Sequence, residues 1–322
     1  MKALVAQELS GPSGLAYTDV DDPVANDDVV IVDVGAAGVS FPDLLLLRGE
    51  YQLRLDPPFI PGMEAAGVVR WAPYESEFTP GQRVTALTML NAWAEQVAVS
   101  PQNLRHTPDD LDDAEAVALL GNYQTMYFAL AKRGALRPGE TVLVLGSAGG
   151  VGTAAIQIAK ALGARVIALV HRVHAVDYVK SLGADVVLPL TEGWLQAVKD
   201  HTDGRGVDLV VDPIGGEAFD DAVRALATEG RLLVLGFASG GGIPTVKVNR
   251  LLLRNVSVVG VGYGEYLNRT PGAQSLFEFG VNELVKAGLR PPPPVRFPLS
   301  GGADALQSLA DGGVLGKVVL EP

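Results

Sequence analysis

The chain has no cysteine, which excludes disulfides, thiolate metal ligands and cysteine nucleophiles. Histidine is scarce. Only His106, His171, His174 and His201 occur, and the one close pair, His171 and His174, reads as a surface pair. No uncharged apolar run is long enough to cross a bilayer. The opening "MKALVAQELSGPSG" lacks the charged-then-apolar start of a signal peptide, so a soluble, cytoplasmic protein is expected. Positive charge is also short, with 25 Lys and Arg against 37 Asp and Glu, for a formal net charge of −12. Nucleic acid and anionic membranes are repelled on average, and no Lys/Arg-rich stripe offsets this. Any bound phosphate must be held by a local arrangement of donors. What is plentiful is apolar material: 48% hydrophobic residues over 322 positions, enough for the cores of two domains.

The first 110 or so residues look β-rich. "DDVVIVDVGAAGVS" alternates acids with β-branched residues, and "AAGVVRWAP", "QRVTALTML" and "WAEQVAVSP" are short strands between turns. "DDLDDAEAVALLGNYQTMYFALAKRGAL" then reads as helix, with acids crowding its start. From Glu140 apolar strands alternate with helices, and strands are expected at 141–145, 165–170, 185–188, 207–212, 231–235 and 256–261. Continuous apolar strands joined by crossover helices make a doubly wound parallel α/β sheet of six strands. After Val261 the alternation stops. "RPPPPVRFPLS" is a stiff connector, followed by a helix over 303–310 and a last strand in "GKVVLEP". The expected division is a β-rich, barrel-like substrate domain of 1–118 and 265–322 around a dinucleotide-binding domain of 119–264.

The most specific signal is "VLVLGSAGGVGTAAIQIAKALGARVIALVHR", residues 142–172. Gly146 permits a sharp turn off a strand, Gly149 or Gly150 lets the backbone approach a diphosphate, and Gly152 lets the helix pack closely on the strand. The helix start offers free N–H donors and a partial positive charge. No Lys-Ser/Thr pair follows, so this is not a P-loop. Backbone around Gly146, Ser147, Ala148, Gly149, Gly150 and Val151 is therefore expected to cradle a dinucleotide. Where an NAD site often places an acid on the ribose, this chain has His171 and Arg172. A guanidinium pairs with a 2′-phosphate that a carboxylate would repel, so NADPH is expected over NADH.

The order of these pieces resembles the medium-chain dehydrogenase/reductase superfamily, and more closely its zinc-free quinone oxidoreductase branch, which includes zeta-crystallin. The segments that carry the likeness include "GAAGVSFPDLLLLRGEYQ", "PGMEAAGVV", "LLGNYQTMYFAL", "GSAGGVGTAAIQIAKALGARVIA", "GVDLVVDPIGG", "GRLLVLGFASG" and "GKVVLEP". They span nearly the whole chain. The resemblance implies a GroES-like β-rich domain beside a Rossmann sheet. Zinc-dependent relatives carry Gly-His-Glu where this chain has Gly62-Met63-Glu64, and a thioether does not replace imidazole toward zinc. No zinc is expected. The substrate must then be polarised by hydrogen bonds or be electrophilic already, as quinones and enones are.

By the same resemblance, Asn122 and Thr125 lie near the nicotinamide. "GFASG" follows the fifth strand, and since loops beyond the carboxyl ends of such strands line the ligand crevice, Phe237 and Ser239 are expected there. Asn249 and Lys317 are further candidates that a turn contact or salt bridge explains equally well. On the substrate side relatives often have Gly-Val-Asn where this chain has Gly38-Val39-Ser40, and many carry Tyr at the place of Leu45. The remaining hydroxyls for the reaction are Tyr51 and Ser40, with water as the other proton source. The expected activity is hydride transfer from NADPH to a quinone or similar conjugated carbonyl. Reduction of an activated C=C bond is the alternative enzyme, and a non-catalytic, crystallin-like NADPH binder is the alternative outside enzymes. The apolar edge in "NVSVVGVG" is expected to pair in a homodimer.

Overall fold

The structure is a computed structural model that describes residues 1–322. The chain divides into two units, Met1–Gly121 with Pro291–Pro322, and Asn122–Arg290.

In the first unit β1 (Lys2–Ala6) pairs antiparallel with β2 (Leu15–Asp19). The long strand β3 (Val30–Val39) leads into the short helix α1 (Phe41–Leu47). It pairs antiparallel with β4 (Glu64–Trp71), which pairs in turn with β5 (Arg83–Leu87). β6 (Gln96–Val99) adds to β3, and β7 (Leu104–His106) to β5. Leu44, Leu47, Val84, Trp93 and Leu104 meet in its core. Trp93 is fully buried, and its indole N–H donates to the Gly38 carbonyl at 2.9 Å, so its one polar group is satisfied. α2 (Asp113–Ala118) opens on a reciprocal cap between Asp112 and Glu115.

The second unit begins with α3 (Gln124–Tyr127), flanked by π-helical turns at Leu119–Tyr123 and Phe128–Arg133. Its sheet holds β8 (Thr141–Val144), β9 (Arg165–Val170), β10 (Val186–Pro189), β11 (Val207–Asp212), β12 (Leu226–Val234) and β13 (Ser257–Gly260). The order β10-β9-β8-β11-β12-β13 is parallel throughout. This is the expected six-stranded doubly wound sheet. Its central strands are apolar on both faces because helices cover both: Val142, Leu143, Val166, Ile167, Val210 and Val211 are fully buried. Helices α4 (Gly150–Ala161), α5 (Val176–Ser181), α6 (Trp194–Asp200), α7 (Ala218–Ala225) and α8 (Val248–Arg254) make the connections.

The second boundary falls later than the sequence pattern places it, at Pro291 rather than at 265. α9 (Tyr263–Arg269) and α10 (Ala273–Lys286) belong to the sheet unit. Phe128 packs on Tyr263, Tyr266 and Phe277 with ring centroids 4.9 to 5.6 Å apart. The chain then rejoins the first unit through β14 (Val295–Pro298), α11 (Gly302–Ala310) and β15 (Val318–Glu321). β15 lies between β14 and β3.

A fork of hydrogen bonds ties the sheet unit together at the base of β12. Arg231 donates to both carboxylate oxygens of Glu140, at 2.8 and 2.6 Å, and to the carbonyls of Gly134 and Asp208. Removing one partner strands a half-buried charge. Arg231→Ala is expected to lower stability by about 3 kcal/mol, and Glu140→Ala combined with it to cost less than the sum. Urea unfolding of the single and double variants checks this.

Candidate functional site

The turn after β8 has the geometry a diphosphate requires. Gly146 has a positive φ of 59°. A Cβ on Gly152 would come within 2.2 Å of the Gly146 carbonyl oxygen, so helix and turn touch at bare backbone. Gly149 is the N-cap of α4, and no side chain caps the helix start. The amides of Gly150, Val151 and Gly152 therefore open a twelve-residue helix with its dipole toward the turn. Asn122 stands directly against this start, since a Cβ on Gly150 would meet its Nδ2 at 2.3 Å. Thr125 is partly buried one turn further along, in α3. Ser147 behaves differently from its neighbours. Its side chain is buried, and its hydroxyl donates to the Leu169 carbonyl at 2.5 Å, which fastens the turn to β9 and leaves only its backbone for a ligand. Ala148 and Val151 are partly exposed.

The neighbouring strand ends complete the arrangement. His171, exposed, and Arg172, partly exposed, follow β9. After β11 the Asp212 carboxylate accepts from the amides of Ile214 and Gly215 at 3.0 and 2.8 Å, bending the chain beside the glycine turn. Burial pushes the Asp212 carboxyl above the usual carboxylate range. The loop after β12 leans on this bend: Ala238 and Ser239 donate to the carbonyls of Pro213 and Ile214. Phe237 is 40% exposed there. Tyr123 and Tyr127 are packing residues; Tyr123 bonds Gln157, and Gly280 gives room for the Tyr127 ring. Asn249 is exposed on α8. Asn122 thus lies against the start of α4, with Thr125 on the short helix α3 and with Arg172 and Phe237 after other strands of the same sheet.

The first unit holds a second polar cluster. Lys317 is buried, and its ammonium donates to Glu64 Oε2 at 2.7 Å. Gly38 and Gly121 leave space for it, because a Cβ at either would fall within 2.6 Å of a Glu64 oxygen. Ser40 is the N-cap of α1. Its N–H and O–H both donate to Asp43 Oδ2, at 2.8 and 2.5 Å. Asp43 is fully buried, and its other oxygen has no partner. Burial raises its carboxyl to about 6, against the lowering pull of the Ser40 hydrogen bond and Lys317. Tyr51 is half-buried, and burial, then the Asp43 charge, push its phenol up, so it keeps its proton at neutral pH. Sequence reading had not assigned Asp43 or Glu64 a role. The local sign was there: Ser-x-x-Asp before four leucines is a capping box, and an acid opening the apolar strand "EAAGVV" asks for a buried cation.

A parallel sheet that carries an uncapped, glycine-opened helix after its first strand, set in the chain between the two pieces of a β-rich unit, defines a dinucleotide-binding α/β protein. Two family descriptions match the chain, "Alcohol dehydrogenase GroES-like domain" over residues 26–137 and "Zinc-binding dehydrogenase" over 150–278. Quinone oxidoreductase-like protein 2 from Bos taurus is 38% identical over 268 residues, 82% of this chain and 76% of that protein. A probable oxidoreductase from Mycobacterium abscessus is 60% identical with a TM-score of 0.93, covering 100% of this chain and 99% of that one. The quinone oxidoreductase from Thermus thermophilus, also solved in complex with NADPH, is 35% identical with a TM-score of 0.84, and both chains are covered in full. The chain belongs to the quinone oxidoreductase branch of the medium-chain dehydrogenase/reductase superfamily, whose members are nicotinamide-nucleotide-dependent oxidoreductases. The zinc of one family description does not fit these residues: Met63 stands in the Gly-x-Glu motif, cysteine is absent, and no three His, Asp or Glu side chains gather. No helix is long and apolar enough to cross a membrane.

Because the folded state raises the Asp43 carboxyl above its ordinary value, the native protein holds that proton more tightly than the unfolded chain. Stability from this group is present at low pH and lost as pH rises through about 6. Asp43→Asn removes the burden. Relative to the parent, it is expected to gain up to about 3 kcal/mol between pH 4 and pH 8, as measured by denaturant unfolding across that range.

Proposed function

We propose that this chain transfers hydride from NADPH to a quinone or similarly conjugated carbonyl, without zinc. The observation that carries the reading is the uncapped glycine start of α4 with Arg172 at the end of the adjacent strand β9. The Thermus thermophilus relative solved with NADPH supports it. Amides at Gly150 and Val151 hold the diphosphate, and Arg172, with His171 beside it, takes the 2′-phosphate through charge-assisted hydrogen bonds. Asn122 and Thr125 hydrogen-bond the nicotinamide carboxamide or its ribose, and Phe237 and Ser239 offer a ring face and a hydroxyl. When bound, NADPH supplies the hydride. Ser40 and Tyr51 are the hydroxyls that donate to the acceptor oxygen, and with Leu45 in place of a tyrosine the acceptor side is more apolar. The pocket's work is orientation and exclusion of water.

A homodimer through β13 suits the same reading. β13 is the open edge of the sheet, and the helix before it exposes Val248, Leu252 and Leu253.

Arg172→Ala is expected to cut the preference for NADPH over NADH by about 10- to 100-fold, read as the ratio of the two dissociation constants by calorimetry. A panel of quinones and enones, followed by NADPH absorbance, is expected to give fastest turnover with quinones. Faster turnover with enones favours the C=C reductase, and tight binding with no oxidation favours the non-catalytic protein.

A further inference from the structure

We propose that Asp43 is a proton store, a buried carboxyl that passes its proton through the Ser40 hydroxyl to the oxygen of the reduced acceptor. This rests on the quinone-reductase reading above and adds a positioning residue behind Ser40.

Charge balance is the first argument. The cluster holds two carboxyls, Glu64 and Asp43, and one ammonium, Lys317, all buried. Lys317 bonds to Glu64, and Asp43 is left with only the N–H and O–H of Ser40. An ionised Asp43 would be a buried charge with one oxygen wholly unpartnered. The titratable groups facing it are Lys317 from just before β15, Glu64 from β4 and Tyr51 from beyond α1. Of these Glu64 also favours the neutral acid, and Tyr51, itself held protonated, is no competing base.

Geometry is the second argument. Asp43 Oδ2 and Ser40 Oγ are 2.5 Å apart. When Asp43 is the neutral acid, its O–H donates across this gap to Ser40 Oγ, and the Ser40 hydrogen turns away from Asp43 toward the acceptor. Asp43 is sealed from solvent, whereas Ser40 is only partly buried. Ser40 is thus the outlet for a proton that Asp43 holds. In the transfer the acceptor gains two electrons and one hydrogen from the nucleotide, which is oxidised. The acceptor oxygen then forms an O–H bond to the Ser40 hydrogen as the Ser40 O–H bond breaks. Ser40 Oγ takes the hydrogen from Asp43, leaving a carboxylate that is reprotonated from water through the same hydroxyl.

Two measurements test this. In the resting protein, infrared spectra between pH 5 and pH 8 are expected to show a carboxylic C=O band that fades as pH rises and is missing in Asp43→Asn. In quinone turnover the parent's kcat is expected to fall with rising pH around 6. Asp43→Asn and Ser40→Ala should each flatten that limb and lower kcat about 100-fold at pH 5, with the NADPH dissociation constant unchanged. Their combination should be no slower than either, and Ser40→Thr should restore the limb. Should Asp43→Asn fail to fold, the two Ser40 variants and the parent's infrared titration decide. No such band, or an unchanged pH limb in both single variants, overturns the proton store. A protein that shows the band but oxidises no NADPH with any acceptor overturns the quinone reading instead.

Discussion

Two buried carboxyls stand near a single ammonium in the β-rich unit, and the arrangement of that cluster follows from the shortfall. Lys317 and Glu64 are 253 residues apart in the chain and meet at 2.7 Å. Burying such a pair is costly unless each charge keeps its partner, so the contact fixes the strand that follows Lys317 relative to β4. It also dictates what may stand nearby. Gly38 and Gly121 bear no side chain because the Glu64 carboxylate fills the space one would need. The carboxyl left over is Asp43, which closes onto its own helix cap.

The dinucleotide unit works on the opposite principle, leaving backbone donors deliberately unpaired. Side chains that could have capped α4 are missing from its start, and Ser147, the one hydroxyl in the turn, is turned inward onto β9. In a chain of net charge −12 this matters. The open amides at the start of α4 are a local donor set, and the surrounding field does nothing to hold anions elsewhere.

How much could be read beforehand differs between the units for a physical reason. Strands at 165–170 and 207–212 coincide with β9 and β11 because a strand buried on both faces is a continuous apolar run. The glycine turn was also visible: Gly152 has backbone within 2.2 Å of where a Cβ would stand, and Gly146 has a positive φ. Helices α9 and α10 were misplaced because what attaches them is the packing of Phe128 on Phe277, a contact with no trace in local periodicity. Asp43 and Glu64 carry only local hints, a helix cap and an acid opening an apolar strand, and nothing in the sequence joins Glu64 to Lys317. Only the pairing of strands far apart in the chain buries them together.

The order of the strands also bears on synthesis. Residues 122–290 are contiguous and form one unit, whereas the β-rich unit needs both ends of the chain. Its strand β15 is interior, flanked by β14 and β3, and ends at Glu321. On a ribosome the dinucleotide unit therefore has all its strands available before β15 follows, and until then the Ala37–Val39 end of β3 lacks its neighbour. During that interval this short stretch of β3 is an open strand edge, and β15 closes it.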